Sequence, residues 1–434
     1  MSAALGIGVL GMGTVGGAVV AQLLDNRTEL AGRAGRALEL RAVVVRDLER
    51  GRRRARRPEL LSDDVATVLA NPEVDVVVEL AGGAEPAHSW VTRALTDGRR
   101  VVTANKLLLA EHGGELLSLA HGRLRFEAAV MAGVPVLGAV SEGMAGQQIR
   151  RIDAVLNGTS NAILEAMRAG GSYAAALARA QADGYAEADP GADVDGADAA
   201  AKLAILVSLA GRAWVHPGSV ERRGIRELRR ADLRAAEMSD HVVRLLASAR
   251  RSQDGWRLRV EPTALPRQRR DAAQPDNVGE GHPLAELPGP GNGVVLDGAL
   301  SGPVLLRGAG AGGNPTAAAV LADLVAFATG RDGPDAPTGT APLASGDDDT
   351  AALVAVEMSG DSDDLETVRL LLGDRGVATA RLDWDPEAIE SGLLRAALLT
   401  RPARRATVAA ALDTLDSDPR FEDAVSWLPV AFPW

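Results

Sequence analysis

The sequence predicts an α/β protein that begins with a doubly wound, parallel β-sheet. Short apolar segments rich in valine and leucine alternate with stretches of helical spacing over the N-terminal third of the chain, which is typical of parallel strands joined by crossover helices. A glycine-rich turn also joins the first apolar segment to the first helix. With 434 residues, the chain is long enough for two or three domains.

The elements of this N-terminal part follow from apolar runs and the turn residues around them. In chain order they are a strand Leu5–Leu10, a strand Leu38–Val45, a strand Val74–Leu80, a helix Pro86–Thr96, a strand Arg100–Thr103 and a strand Arg125–Val130. Because a parallel sheet needs a crossover between successive strands, the intervening helices are expected to cover both of its faces.

The turn after the first strand has the spacing G-x-G-x-x-G of a dinucleotide-binding Rossmann fold. Gly11 allows the tight turn, Gly13 lets the backbone approach a pyrophosphate, and Gly16 permits close packing of the helix on the strand. The pyrophosphate would then lie at the helix N-terminus. The second strand ends in Arg46 and Asp47; an acidic residue there selects a free ribose 2′-hydroxyl, whereas an arginine accommodates a 2′-phosphate. Arg46 favours NADP, and NAD stays open.

Only two of the 47 Lys and Arg residues are lysines, Lys106 and Lys202. Arginine is charged at all relevant pH values and cannot deliver a proton, whereas a buried lysine can act as a general acid. Both lysines lie beside apolar runs, VVTANKLLLA and AAAKLAIL. In an arginine-rich chain, their retention indicates a site that needs a titratable ammonium group rather than two ordinary surface cations.

A carboxylate-rich segment precedes Lys202. The acidic residues of GYAEADPGADVDGADAAAK include Glu187, Asp193 and Asp198. Asp198 and Lys202 are four residues apart and would share one face of a helix. Carboxylates suit a substrate amine, a lysine suits a carbonyl that is being reduced, and the Asn157-Gly158-Thr159 turn offers donors for a carboxylate. These residues together describe a site for a small amino acid with a reducible carbon.

Composition excludes several classes of function. The net charge of −11 argues against a general nucleic-acid-binding protein. The chain has no cysteine, which excludes thiolate nucleophiles and disulfides and is compatible with a reducing cytoplasm. We expect no membrane span. The apolar stretch Ala3–Leu24 has no basic n-region and carries the glycine spacing described above, and no other stretch approaches a span of about 20 apolar residues.

With these motifs in order, the chain strongly resembles homoserine dehydrogenase. The resemblance covers residues 7 to about 325 through the nucleotide turn, VVTANK, the EAAV and GVP segments, LNGTSN, the long GYAEADP segment and a late glycine loop. It implies hydride transfer from NAD(P)H to L-aspartate 4-semialdehyde, giving L-homoserine in the biosynthesis of threonine, methionine and isoleucine. It also implies a cytoplasmic homodimer or homotetramer without nucleic-acid or membrane partners.

The same resemblance implies roles for individual residues. Lys202 matches the proton donor, and Lys106 matches the lysine between nicotinamide and substrate. The substrate residues implied are Glu187, Asp193, Asp198, Tyr185, Asn157, Gly158 and Thr159. The cofactor residues implied are Gly11, Gly13, Thr14, Val15, Gly16, Arg46, Thr103, Lys106, Gly310 and Gly312. A monovalent cation site, suited to Na⁺, is implied at the backbone oxygens of Glu127, Val130, Ala132 and Val134; whether it is occupied stays open.

The domain organisation follows from these segments. We expect a nucleotide-binding Rossmann domain over residues 1–135, an α+β substrate-binding and oligomerisation domain over 136–329, a linker over 330–350 and a C-terminal domain over 351–434. Within 136–329, a helix that starts at about residue 316 is expected to return to the Rossmann domain. Residues 265–285 are expected to form a long loop. In the C-terminal domain the βαββαβ order resembles the ACT regulatory domain, although the turn Ser359–Asp364 lacks the Pro-Gly pair of ligand-binding ACT domains. That turn favours a role in assembly over inhibition by threonine.

Two other functions remain compatible with the motifs. One is a related NAD(P)-dependent oxidoreductase with another small substrate, although the carboxylate-rich segment argues against a sugar because sugars carry no amine. The other is a sensor or scaffold that binds nucleotide and an amino acid without turnover; retention of both lysines argues against it, because arginine would suffice for holding an anion. Aspartate-semialdehyde dehydrogenase is excluded because it needs a cysteine nucleophile.

Overall fold

The fold was obtained as a computed structural model, which describes residues 3–267 and 281–431. Its strands are β1 Leu5–Leu10, β2 Leu38–Val44, β3 Leu61–Ser62, β4 Val76–Glu79, β5 Arg100–Thr103, β6 Leu124–Arg125, β7 Ile149–Val155, β8 Glu221–Arg222, β9 His241–Ser252, β10 Gly255–Pro266, β11 Asn292–Gly298, β12 Gly302–Gly308, β13 Asp349–Ser359, β14 Thr379–Trp384, β15 Leu393–Thr400, β16 Ala403–Arg404 and β17 Val425–Val430.

Its helices are α1 Thr14–Asp25, α2 Arg27–Ala34, α3 Leu48–Arg54, α4 Ala66–Leu69, α5 Ala87–Thr96, α6 Lys106–Ala120, α7 Ala128–Met131, α8 Val136–Gly138, α9 Gly158–Arg168, α10 Tyr173–Ala182, α11 Gly191–Val194, α12 Ala197–Gly211, α13 Arg230–Met238, α14 Gly313–Ala328, α15 Ser362–Asp374, α16 Pro386–Glu390 and α17 Arg405–Asp416. Among these described helices, none combines the length and the apolar character needed to cross a bilayer.

The first sheet has six parallel strands in the order β3-β2-β1-β4-β5-β6. This is the strand order of a Rossmann fold, so the predicted doubly wound sheet is confirmed. The central strands β1 and β4 are largely apolar and are buried at every position, because helices cover both faces of the sheet. Although α14 lies late in the chain, its Val320, Leu324 and Phe327 pack in the same core as Val9 of β1 and Val19 of α1.

The predicted strand Arg125–Val130 is wrong. The structure has a short β6 and then a helical turn, α7. The backbone N–H of Glu127 donates to Asp323 Oδ2 at 2.9 Å, while its carboxylate accepts from the N–H groups of Leu137 and Gly138 at 2.8 Å each. These bonds turn the chain out of the sheet. Every residue of α7 is buried, so apolar periodicity could not distinguish a strand from a buried helix.

Within the described residues, the second sheet has eleven strands and is mixed. Its continuous path is β12-β11-β7-β9-β10-β17-β13-β15-β14, with β8 beside β10 and β16 beside β13. The C-terminal segment has the expected βαββαβ core with the small additions α16 and β16. It belongs to this sheet, because Val430 of β17 pairs with Ala264 of β10 and Arg405 of α17 pairs with the buried Glu261 of β10.

The segment predicted as a linker is hydrogen-bonded to the rest of the chain. The N–H of Trp214 donates to Gly339 O at 2.7 Å, the N–H of Ala341 donates to Trp214 O at 2.9 Å, and the N–H of Trp256 donates to Pro342 O at 2.9 Å. Proline and glycine correctly indicated the absence of a long helix or strand here, but they carry no information about partners distant in sequence. Most of the predicted loop at 265–285 lies outside the described residues.

Candidate active site between the two sheets

The glycine turn after β1 has the geometry that its spacing predicts. Gly11 has φ of 102°, and a Cβ atom there would lie 2.7 Å from Leu80 O. At Gly13 a Cβ would meet nothing within 4 Å, so a ligand can approach this backbone. At Gly16 a Cβ would overlap the carbonyl oxygen of Gly11. The three glycines therefore serve the turn, the ligand approach and the helix–strand packing respectively.

Two neighbouring glycines of α1 give a matched test of this packing. Gly16→Ala is expected to lower the melting temperature and abolish NADPH binding, because its Cβ overlaps the backbone of the turn. Gly17→Ala is expected to stabilise the helix by about 0.5–1 kcal/mol, because nothing lies within 4 Å of the added atom. Thermal melts with and without NADPH measure both effects; equal melting temperatures for the two variants would contradict this account of Gly16.

A cavity of about 320 Å³ adjoins the glycine turn. Its lining combines the turn, one face of α1 and the α3 region, namely Met12, Gly13, Thr14, Gly17, Val20, Ala21, Leu24, Arg50, Ala55 and Arg56. Arg46 is exposed at the end of β2 and is not among these residues. Asp47 caps α3 by accepting from Arg50 N–H at 2.9 Å. Cationic groups therefore adjoin the turn, but the arginines that line the cavity come from the following helix region.

The late glycine loop returns to this turn. A Cβ at Gly313 would lie 3.2 Å from Thr14 O, so the start of α14 lies against the start of α1. Gly312 has φ of 115°, and a Cβ at Gly310 would overlap the side chain of Asn292. Side chains larger than glycine would therefore not fit at these positions without local shifts. The sequence had also predicted that this segment returns to the nucleotide-binding domain.

A hydrogen-bonded network joins the loops that follow β4 and β5. The Thr103 hydroxyl donates to the buried Glu79 carboxylate at 2.6 Å and accepts from Asn105 N–H at 3.0 Å. Asn105 Nδ2 donates to Gly83 O at 2.7 Å, and its Oδ1 caps α6 by accepting from Leu108 N–H at 3.1 Å. Thr103 thus positions the backbone that carries Lys106.

The structure brings both lysines to one carboxylate. Lys106 begins α6, and its ammonium forms an ion pair with Asp198 Oδ1. Lys202 lies one turn after Asp198 on α12; its Nζ is 2.8 Å from Asp198 Oδ2 and donates to Leu156 O at 2.8 Å. The side chain of Lys202 is 10% exposed, whereas that of Lys106 is 48% exposed. One lysine is therefore enclosed and the other borders open space.

Burial and charge set the protonation of this cluster. Burial alone would raise the pKa of Asp198, but the ammonium groups of Lys202 and Lys106 outweigh that effect and hold the pKa at about 2. Burial lowers the pKa of Lys202 below its ordinary value, and the charge of Asp198 offsets part of that decrease. A lysine with a lowered pKa gives up its proton more readily than an exposed one.

Asn157 connects the cluster to the carboxylate-rich segment. Its Nδ2 donates to Asp193 Oδ1 at 2.6 Å and to Asp198 Oδ2 at 2.9 Å. Its Oδ1 caps α9 by accepting from Ser160 N–H at 2.8 Å. A Cβ at Gly158 would lie 3.0 Å from Pro290 O. Asn157 is therefore both a helix cap and a support for the two carboxylates.

The remaining predicted substrate residues lie at the surface. The Thr159 hydroxyl donates to Tyr185 O at 2.6 Å, which ties this loop to α9. The Tyr185 side chain and Glu187 are exposed. Within residues 3–267 and 281–431, the Glu187 carboxylate makes no hydrogen bond or ion pair with the lysine cluster or with any other group. The carboxylate is therefore free for a ligand.

The turn predicted to hold a monovalent cation has two free carbonyl groups. Ala132 has φ of 45° and ends α7. In the part of the chain that the structure describes, no hydrogen bond is made to the carbonyl oxygens of Val130 and Ala132, whereas Val134 O accepts from Val136 N–H at 2.8 Å. Burial raises the pKa of Glu127 to about 7, although the N–H groups of Leu137 and Gly138 act in the opposite direction.

Comparison with known proteins agrees with this arrangement. Residues 11–124 match the model of the homoserine dehydrogenase NAD-binding domain, and residues 135–325 match the model of homoserine dehydrogenase. The chain belongs to the homoserine dehydrogenase family. It is therefore an NAD(P)-dependent oxidoreductase that acts on a CH–OH group.

Individual members of the family give the same result. The homoserine dehydrogenase of Corynebacterium glutamicum is 40% identical over 337 residues, which cover 76% of this chain and 73% of that protein. That of Mycobacterium bovis is 42% identical over 332 residues, covering 75% and 73% respectively. The crystal structure of the enzyme from Thiobacillus denitrificans has 33% identity and a TM-score of 0.86, covering 99% of this chain and 98% of that chain.

Two residues that support the lysine cluster, Glu79 and Asn105, were not among the site residues predicted from the sequence. Glu79 ends β4 and orders the next loop by accepting from Ala81 N–H at 2.8 Å. Asn105 links that loop to α6. An Asn directly before a helix is a recognisable N-cap signal, so Asn105 could have been found. A carboxylate at the end of a strand is too common to have distinguished Glu79.

Proposed function

We propose that the Lys106–Asp198–Lys202 cluster is where this chain carries out the reaction of its family. That reaction is the reversible, NAD(P)H-dependent reduction of L-aspartate 4-semialdehyde to L-homoserine, a step that supplies threonine, methionine and isoleucine. The observation that carries the proposal is the convergence of both lysines of the chain on the carboxylate of Asp198. A site that only binds an anion could use arginine, which is abundant in this sequence, and would not need two lysines at one carboxylate.

The cluster supports a specific division of roles. A nicotinamide bound here would supply the hydride. Lys202 would donate a proton from Nζ to the oxygen that was the aldehyde oxygen. Asp198 and Leu156 O hold that ammonium group in place. Lys106, which is half exposed, lies where cofactor and substrate would meet. A charge placed in advance of the reaction stabilises the developing alkoxide without reorganisation.

The substrate amine is proposed to bind at the carboxylates. Asp198 accepts from both lysines and from Asn157, so its charge is already largely compensated. Glu187 has an uncompensated carboxylate and lies next to the loop that Thr159 anchors. We therefore assign direct binding of the amine chiefly to Glu187, assisted by Asp198 and Asp193. Tyr185, Asn157, Gly158 and Thr159 shape the pocket around the substrate.

The direct test is reduction of NADP⁺ by the purified chain with L-homoserine, using D-homoserine as the control substrate. Turnover with the L-enantiomer alone is expected. Nucleotide binding without turnover would instead favour a sensor or a different amino-acid substrate.

We propose that the glycine turn binds NADP in preference to NAD. The open backbone at Gly13 and the cavity beside it, lined by Arg50 and Arg56, fit a phosphorylated dinucleotide. Hyperthermophilic archaeal homoserine dehydrogenase, 27% identical with a TM-score of 0.59 over 74% of this chain, has been solved in complex with NADPH. Gly11, Thr14, Val15, Gly16, Thr103, Gly310 and Gly312 are proposed to complete the cofactor site.

Arg46→Ala and Arg50→Ala test the source of this preference. Each variant is expected to raise the KM for NADPH by about tenfold, with less change for NADH, if its guanidinium contacts the 2′-phosphate. Arg179→Ala, an exposed arginine of α10, serves as the control. Steady-state kinetics with both cofactors measures the effect; parallel losses for NADPH and NADH would remove the 2′-phosphate assignment for that arginine.

A Na⁺ site is proposed at the turn that ends α7. The free carbonyl groups of Val130 and Ala132 fit a hard cation, and the backbone oxygens of Glu127 and Val134 would complete the set. Activity in sodium chloride, compared with choline chloride at equal ionic strength, tests this proposal.

The remaining assignments concern domains and assembly. We propose nucleotide binding by residues 1–135, substrate binding and subunit association by 136–329, and an ACT-like domain at 351–434 that serves assembly. The antiparallel order β17-β13-β15-β14 supports the ACT-like assignment. The edge strand β12 with exposed Leu305 supports association into a homodimer or homotetramer. The cytoplasm is the proposed location.

Light scattering would give the number of subunits in the assembly, and addition of L-threonine to the activity assay would test for inhibition.

A further inference from the structure

A second group of titratable side chains lies between α5 and α6, apart from the lysine cluster. His88 of α5 stacks on His112 of α6 with ring centroids 3.9 Å apart and an interplanar angle of 17°. Glu115 lies one turn after His112 on α6, so these two side chains share one face of that helix. Ligand atoms of His88, His112 and Glu115 all lie within 4.8 Å of one another.

The carboxylate of Glu115 faces one nitrogen of each ring. Its Oε2 is 3.7 Å from His88 Nε2 and 3.9 Å from His112 Nδ1. His88 Nε2 is buried and, within the described residues, has no hydrogen-bond partner. A buried polar atom without a partner costs free energy unless a ligand satisfies it. This nitrogen therefore points to a missing partner in the space between the two rings and Glu115.

The outer nitrogen of each ring faces a different carboxylate. His88 Nδ1 is 3.3 Å from Glu85 Oε1, and Glu85 is itself held by the Ser89 hydroxyl at 3.0 Å. His112 Nε2 is 3.9 Å from Glu111 Oε2. At His88, the hydrogen bond to Glu85 favours a proton on Nδ1 and leaves Nε2 as a lone-pair donor, which is the outer-shell pattern of histidines that ligate metals. At His112, Glu111 lies beyond hydrogen-bond distance of the outer nitrogen.

We propose that His88, His112 and Glu115 form a binding site for a divalent transition-metal ion, Zn²⁺ above all. Two imidazole nitrogens and one carboxylate oxygen match the ligands that Zn²⁺ prefers, and water would complete a tetrahedral set. Ligand atoms around tetrahedral zinc lie about 3.3 Å apart, and an ion binds in the plane of each imidazole ring. The two rings, which are stacked with an interplanar angle of 17°, must therefore rotate out of the stack to bind the same ion. The ion would link α5 to α6, the helix that begins at Lys106.

The test is titration of the untagged, full-length protein with Zn²⁺, after removal of metal by chelation and in the absence of cofactor. One equivalent per chain is expected by calorimetry, with a higher melting temperature in the presence of the ion. Titration with Co²⁺ gives an independent spectroscopic signal, and the absence of cysteine from the chain excludes thiolate ligands.

Variants decide whether the ion binds here. His112→Gln and Glu115→Gln are expected to abolish the stoichiometric site, while Glu85→Gln is expected to weaken affinity by about 10- to 100-fold. His216→Gln, which alters an exposed histidine far along the sequence, should leave binding intact. Absence of stoichiometric binding by the wild-type protein, or undiminished affinity in both His112→Gln and Glu115→Gln, would overturn the proposal. Glu115 is largely exposed, so its variant is expected to fold even if His112→Gln does not.

Discussion

Replacement of Lys202 with alanine is expected to lower kcat by about 10²-fold or more, as for the loss of a general acid. The Nζ atom is fixed by Asp198 Oδ2 and Leu156 O, each at 2.8 Å, on a side chain that is only 10% exposed. Water therefore has restricted access to replace the lost proton donor. Lys202→Arg is expected to restore little activity, because a guanidinium remains protonated at all relevant pH values.

Two controls separate catalysis from folding at this position. Lys202→Met keeps most of the aliphatic volume and should be as inactive as the alanine variant, with less loss of thermal stability. Ser208→Ala alters another buried polar side chain of α12, outside the lysine cluster, and should retain activity. Rates of Lys202→Ala within a few-fold of wild type, measured in both directions, would refute the role of Lys202 as proton donor.

Asp198→Asn is expected to reduce kcat/KM by about 10²-fold and to move the pH profile of reduction towards lower pH. The substitution preserves shape but removes the charge that pairs with both lysines. Because that charge raises the pKa of Lys202, its loss lowers this pKa further. Less of the ammonium form is then present near neutral pH, so the rate of reduction begins to fall at a lower pH than in wild type.

Asp193→Asn provides the matched comparison. Asp193 accepts from Asn157 at 2.6 Å but forms no ion pair with a lysine among the described residues. The charge of Asp193 also raises the pKa of Lys202, but less than that of Asp198 does. Asp193→Asn should therefore move the pH profile less than Asp198→Asn does. Identical pH profiles for Asp198→Asn and the wild-type enzyme would show that Asp198 does not control the protonation of Lys202.

The lowered pKa of Asp198 predicts that the free energy of unfolding depends on pH in the acid range. The pKa of Asp198 in the folded chain is about 2, below its ordinary value of 3.8. The ionised carboxylate of Asp198 thus stabilises the folded chain at pH values above its ordinary pKa. This stabilisation is lost as the pH falls through the pKa of Asp198 in the folded chain. This difference amounts to roughly 2 kcal/mol, and Asp198→Asn should lack that contribution to acid unfolding.

Local patterns were sufficient for the parallel sheet and the glycine turn. The positive φ of Gly11, the open backbone at Gly13 and the contact of Gly16 with Gly11 all lie within one βα unit, so spacing alone predicted them. The close approach of Gly11 to Leu80 O involves the neighbouring strand and was visible only in the structure. The relation of Asp198 to Lys202 was also predictable, because residues four apart on a helix are neighbours. The error at Arg125–Val130 arose where burial on all sides removed the periodicity that distinguishes strands from helices.

The sequence by itself determined the chemical groups available to this protein: two lysines, a carboxylate-rich segment, a nucleotide-binding turn and no cysteine. Only the tertiary structure decided that Lys106 joins Lys202 at Asp198, which residues of α14 pack against β1 and α1, and that β17 extends the sheet of β10. The physical reason is that these contacts join residues about 90 to 310 positions apart, beyond the reach of helical or strand periodicity. Burial, and with it the pKa values of the cluster, likewise exists only once those segments have come together.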